Sequence, residues 1–108
     1  MFEVQPAGDG RALRLIGELD LSTVDEFIGR IEDRLREGRD DLVLDASALA
    51  FIDSTGVKTF IDVARRLGDG RELVLMRPSS SASRTLDLLS ASSFPNVVIR
   101  PADALSVA

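Results

Sequence analysis

The 108-residue chain contains no cysteine, histidine, tryptophan or tyrosine. Without cysteine there is no disulfide, no thiolate zinc site and no thiol nucleophile. Without histidine, the commonest general base and metal ligand is missing. The aromatic residues are five phenylalanines, too few for a platform on which nucleobases stack. No apolar run reaches the roughly 18 residues of a membrane-spanning helix, and the N-terminus lacks a signal-peptide pattern. A cytoplasmic location is therefore expected. Gly8-Asp9-Gly10 and Gly68-Asp69-Gly70 lack the strand, glycine-rich loop and helix that a nucleotide fingerprint needs. A net charge of −5 argues against nucleic acid or an anionic membrane as partner and favours basic protein surfaces. Neither a cofactor nor a metal site is expected.

What is present is ordinary for a globular domain: 44% hydrophobic and 29% charged residues. The length suits one domain, 1–108, with a single core and neither an internal repeat nor a domain boundary. Residues 2–5 alternate and predict a short strand. Asp9-Gly10 signals a hairpin into a second strand over 11–18. Leu21-Ser22-Thr23 opens a helix that Ser22 or Thr23 can cap. Val24, Phe27, Ile28, Ile31 and Leu35 form its apolar stripe, and Gly38 ends it. Residues 41–45 predict a central strand buried on both faces. Residues 46–52 read as a connecting segment in which Ala48, Leu49 and Phe51 pack inward. A helix is expected from Ser54 to about Leu67, with Lys58, Asp62, Arg65 and Arg66 on its exposed face. A strand follows at 72–76, then a serine-rich loop and a third helix. That helix turns Ala82, Leu86 and Leu89 to the core, has Leu88 beside them, and stops at Phe94-Pro95. Residues 96–100 predict the last strand, and 101–108 form a short terminal helix or fray. Strands alternating with helices make parallel crossovers, and the opening hairpin adds an antiparallel strand.

The stretch that organises the chain is Phe51-Ile52-Asp53-Ser54-Thr55-Gly56-Val57. Helical spacing starts there, at the end of a buried segment, on the sheet edge where open α/β proteins meet ligands and partners. Asp53 and Ser54 both suit an N-cap. A hydroxyl there faces unpaired amides and the positive end of the helix dipole, a place that holds a phosphate well. Phosphorylation would add roughly −1.5 to −2 charge and three acceptor oxygens. The plainer reading of Asp-Ser-Thr-Gly is a cap and a turn. Ser54 and Lys58 lie one helical turn apart, so a Ser-Lys dyad is conceivable, although a solvated lysine on an exposed helix face is the commoner case. Asp20, Asp45 and Asp53 each fall at or just past a strand end and could cluster to bind a divalent cation or accept a phosphoryl group, as in a receiver domain. That chemistry asks for paired acids after the first core strand and a lysine after a late one. Here a single acid, Asp20, follows an early strand, and Arg77-Pro78 follows Met76.

Gly17-Glu18-Leu19-Asp20-Leu21-Ser22-Thr23, Leu42-Val43-Leu44-Asp45 and Phe51 to Val57 together resemble the STAS domain in its stand-alone form, the anti-sigma factor antagonists. The resemblance spans nearly the whole chain. It implies a STAS fold of class α/β: a mixed, mostly parallel sheet of about five strands with helices packed on one face. It also implies a non-enzymatic binding module. In that family the serine after the aspartate is phosphorylated by an anti-sigma factor that is also a serine kinase, and a metal-dependent serine phosphatase resets it. Carried over, Ser54 is the phosphoacceptor, and Asp20, Asp53, Ser54, Thr55, Gly56 and Lys58 are the partner-binding residues. The unphosphorylated form would bind the anti-sigma factor and free a sigma factor. Two features depart from the family pattern: no glycine occurs in Ser90-Ala91-Ser92-Ser93, and Lys58 stands where many members carry a small residue. Competing expectations are an adaptor in a lipid-transport or stressosome assembly, with Ser54 only a cap, and a small enzyme using Ser54 as nucleophile.

Overall fold

The computed structural model describes residues 1–8 and 10–101. Five strands form one sheet in the order β1-β2-β3-β4-β5. They are β1 (Phe2–Ala7), β2 (Ala12–Leu19), β3 (Leu42–Ile52), β4 (Leu73–Met76) and β5 (Val97–Arg100). The predicted hairpin is there: β1 pairs antiparallel with β2, and every later pairing is parallel. Three helices supply the crossovers: α1 (Val24–Glu37), α2 (Ser54–Leu67) and α3 (Ser80–Leu88). Asp9 of the predicted turn and the predicted terminal segment beyond Pro101 lie outside the described residues.

Strand alternation sends Leu13, Leu15 and Leu19 of β2, Leu42 and Leu44 of β3, and Leu73 and Leu75 of β4 to one face. There they meet Phe27 and Ile31 of α1, Val57, Phe60 and Val63 of α2, and Ala82 and Leu86 of α3 in one core cluster. All three helices therefore cover the same side of the sheet. Phe27 is the hinge pin of that core. Its ring packs edge-on against Phe2 at 6.1 Å and against Phe60 at 5.7 Å, joining β1, α1 and α2. Glu32 and Arg66 clamp α1 to α2 with two charge-assisted bonds of 2.7 and 3.3 Å, and the guanidinium holds the Glu32 carboxyl below its ordinary range. Asn96 donates to the carbonyls of Ala64 and Arg71, tying the end of α2 to the start of β5.

Four local expectations fail, each for a physical reason. Residues 46–52 are strand, not connection. Their buried positions, after Leu42 and Leu44, are Ala46, Leu49 and Ile52, so the spacing runs two, two, three, three. Register shifts against β2 at Arg14/Ile16 and at Gly17/Glu18 each admit one extra residue of β3, and such bulges break the two-residue period. The bulges also turn Ala48 and Phe51 outward, Phe51 to 44% exposure. Neither Ser22 nor Thr23 caps α1 with its side chain. The Thr23 hydroxyl instead donates to the Glu18 carbonyl at 2.8 Å and accepts from the Asp20 amide at 3.0 Å, closing the β2–α1 turn. Finally, α3 ends at Leu88 rather than at Phe94-Pro95. Ser90 takes a left-handed conformation (φ 53°), a short 3-10 turn follows at Ala91–Ser93, and Leu88 and Leu89 are left exposed instead of core-facing.

Candidate functional site

Parallel pairing carries the ends of β2 and β3 to the same edge. Leu19 is the register partner of Ile52, and the Asp53 amide donates to the Leu19 carbonyl at 3.4 Å. The β2–α1 turn, with Asp20, therefore sits beside the start of α2, with Ser54.

Asp20 builds its turn around one carboxylate oxygen, which accepts from the Ser22 hydroxyl at 2.7 Å and the Ser22 amide at 2.9 Å. The Ser22 hydroxyl is the main reason that the Asp20 carboxyl lies below the usual aspartate range. The next residue, Leu21, is 77% exposed.

At the start of α2 the two candidate caps separate. Asp53 is the N-cap: its backbone is extended and its carboxylate accepts from the Gly56 amide at 3.0 Å, while its carbonyl accepts from the Val57 amide. Ser54 is the first helical residue, exposed, and its hydroxyl is bonded to none of the described residues. Since α2 has no acid in its first turn, the capping carboxylate of Asp53 is what offsets the positive helix end. Thr55 is half-buried, and Lys58 is exposed one turn further on.

Gly56 is buried because α2 begins very close to the sheet. A Cβ there would stand 2.7 Å from the Leu19 carbonyl oxygen and 2.6 Å from Ile52 Cγ1. A side chain can yield, but a carbonyl held in a parallel ladder cannot. Gly56→Ala is expected to destabilise the fold by about 1–3 kcal/mol through overpacking, read from the chemical denaturation midpoint. An unchanged midpoint would contradict the close approach.

The division of labour at the cap gives a second expected result. Asp53→Ala should cost about 1 kcal/mol of stability, the usual loss for a capping side chain, whereas Ser54→Ala should cost only a few tenths. The reverse order would mean that Ser54 is the cap.

The anticipated acid cluster does not form. Asp45 is not at a strand end, because β3 runs on to Ile52. It lies on the sheet face opposite the helices, 1% exposed, beneath Arg14 and Arg77. Burial pushes its carboxyl up, but the bonds from Ser47 and Arg77 outweigh burial and hold it below its ordinary value. Among the described residues no group of three or more acids could hold a metal ion. The sequence signal for this second site was an aspartate inside an apolar strand, since a buried carboxylate needs a partner. Its partners are far away in sequence, so spacing could not name them.

A family model, the STAS domain, matches residues 2–104. The chain belongs to the STAS-domain family. No curated protein matches it. Among solved structures it is similar to the anti-sigma factor antagonist SpoIIAA in its unphosphorylated form, with 21% identity and a TM-score of 0.68 over all of this chain and 98% of that one. It is also similar to TM1081, a putative anti-sigma factor antagonist from Thermotoga maritima, with 18% identity and a TM-score of 0.69 over 98% and 91% of the two chains. A chain from the complex of the diguanylate cyclase SiaD with its activator SiaC, from Pseudomonas aeruginosa, aligns with 19% identity and a TM-score of 0.58 over 94% and 92%. At such identities these likenesses speak to the fold. Among the described residues of this STAS domain no helix is long and apolar enough to cross a membrane.

Proposed function

We propose that this STAS domain is an anti-sigma factor antagonist switched by phosphorylation at Ser54, with no catalysis of its own. Unphosphorylated, it binds an anti-sigma factor that is also a serine kinase and thereby frees a sigma factor. Phosphorylated, it lets go, and a metal-dependent serine phosphatase restores it. The cytoplasm is the compartment this cycle requires. The observation that supports the reading is the exposed, unbonded Ser54 hydroxyl in the first turn of α2, with the cap supplied by Asp53. A kinase can reach that oxygen without unfolding anything. Around it, Asp20, Thr55, Lys58 and the exposed Leu21 and Phe51 offer a mixed polar and apolar docking rim, and Gly56 lets α2 sit close to the β2 edge.

The test is incubation with candidate anti-sigma kinases and ATP, followed by mass spectrometry. Phosphate on Ser54 is the expected result, and phosphate confined to other residues ends the proposal. The SiaC-containing complex favours a second reading, an unphosphorylated adaptor that activates or scaffolds an enzyme. That reading predicts no phosphate at Ser54 and equal partner binding by the wild type and Ser54→Asp.

A further inference from the structure

The sheet face opposite the helices carries a site that the Ser54 switch does not use. Arg14 on β2 is the register partner of Asp45 on β3. Arg77, the residue after β4, reaches the same carboxylate oxygen: Arg77 Nη2 lies 2.7 Å from Asp45 Oδ2 and Arg14 Nε 3.5 Å from it. The other oxygen, Oδ1, accepts from the Ser47 amide at 3.0 Å. Two guanidinium groups therefore share one oxygen of one buried acid. Both remain partly open to solvent, with side chains 40% and 39% exposed for Arg14 and Arg77.

Three further observations go beyond a structural brace. Arg77 Nε is buried and has no hydrogen-bond partner among the described residues, although a buried N–H normally finds one. Arg77 adopts a left-handed backbone (φ 51°), a conformation a non-glycine residue holds only where its surroundings impose it, and one that recurs at functional sites. In front of the pair lies an open cleft of about 620 Å³, walled by Ser47, Pro78, the α3 N-cap Ser79 and Ser80, and among the described residues Asp45 is the one acid that lines it. The described residues that line it carry a formal charge of +1 (Arg14, Arg77 and Asp45), in a protein of net charge −5.

We propose that this cleft binds the phosphate group of a small phosphomonoester, with Arg14 and Arg77 as its ligands. A guanidinium carries five N–H donors in a fixed fork that matches phosphate oxygens. Asp45 occupies Arg77 Nη2 and Arg14 Nε, which leaves Arg77 Nη1 and both Nη groups of Arg14 for an incoming anion and holds both side chains in place. Ser80, the first residue of α3, lines the same cleft, so the positive end of that helix adds to the attraction.

The experiment is a titration of the intact chain at constant ionic strength, with inorganic phosphate in one arm and glycerol 3-phosphate in the other, followed by amide and arginine side-chain NMR shifts. Saturable shifts are expected at Arg14, Ser47, Arg77 and Ser80, with a Kd of about millimolar or tighter. Glycerol 3-phosphate binding at least as tightly as inorganic phosphate supports the phosphomonoester, and tighter binding of inorganic phosphate overturns that choice of ligand. Arg14→Gln and Arg77→Gln should each weaken binding about tenfold or more. Arg77→Lys, which keeps the charge but loses the fork, should weaken it less, and Arg39→Gln, at an exposed loop arginine, should leave it unchanged. Because loss of Arg77 could disturb Asp45, the wild-type shift map decides the matter independently. Shifts that fail to saturate, or that centre away from this cleft, overturn the proposal. Ser54→Ala should titrate like the wild type, so this result stands apart from the switch.

Discussion

Phe27→Ala is expected to lower the unfolding free energy by about 3–5 kcal/mol, the usual cost of emptying a buried aromatic site. Phe27 is fully buried and touches one ring from β1 and one from α2, both in edge-to-face geometry. Such ring pairs add about 0.5–1.5 kcal/mol beyond burial. Removing the middle ring separates the other two and leaves a void among three elements that cannot all close in together. The chain has neither tryptophan nor tyrosine, so the transition is best followed by circular dichroism in urea. Phe51→Ala is the matched control. Its side chain is 44% exposed, and a loss within about 1 kcal/mol is expected. Comparable losses for the two substitutions would mean that the core is not organised around Phe27.

Ser54→Asp is expected to weaken binding to the proposed anti-sigma partner by about one to three decades, while Ser54→Ala binds like the wild type. The reason is where the charge falls. At the first helical position of α2 a carboxylate is compatible with the fold, because it sits at the positive end of the helix dipole. Docking a partner over it removes it from water, and the neighbouring carboxylates of Asp53 and Asp20 add repulsion instead of compensation. Thermal stability should therefore change little while affinity falls. Calorimetric titration measures the affinity, and a melting curve measures the stability. Equal affinities for the Asp and Ala variants would remove the basis for a charge switch. A parallel drop in melting temperature would make the loss of binding a folding defect.

The order of elements was legible because it depends on local signals. The stripe of Phe27, Ile31 and Leu35 repeats at helical spacing, and the Leu13–Leu15 alternation marks a strand whose inner face is buried. Gly38 ends α1, and α2 stops at Leu67, as expected. The edge position of Ser54 followed from the same signals, since a helix start after a buried strand places its first residues at the carboxyl end of the sheet. The failures share a cause. The period of β3 is broken by two bulges whose existence depends on its pairing with β2, so Ala46–Ile52 carried no strand signal. Leu88 and Leu89 look like core residues until the left-handed Ser90 ends the helix early and turns them outward.

On its own, then, the amino-acid order determined the class of fold, the absence of thiol and imidazole side chains, and the place of Ser54 at the start of a helix, because each of these is set by composition or by neighbours within a few residues. Only the folded chain decided that Asp53 and not Ser54 caps α2, that Gly56 must lack a side chain beneath the Leu19 carbonyl, and that Asp45 joins Arg14 and Arg77 instead of the other acids. The cap is a choice between two adjacent residues that suit it equally, settled by their backbone angles, whereas the other two outcomes depend on strand register and on contacts between residues some thirty positions apart, distances over which sequence spacing carries no geometric information.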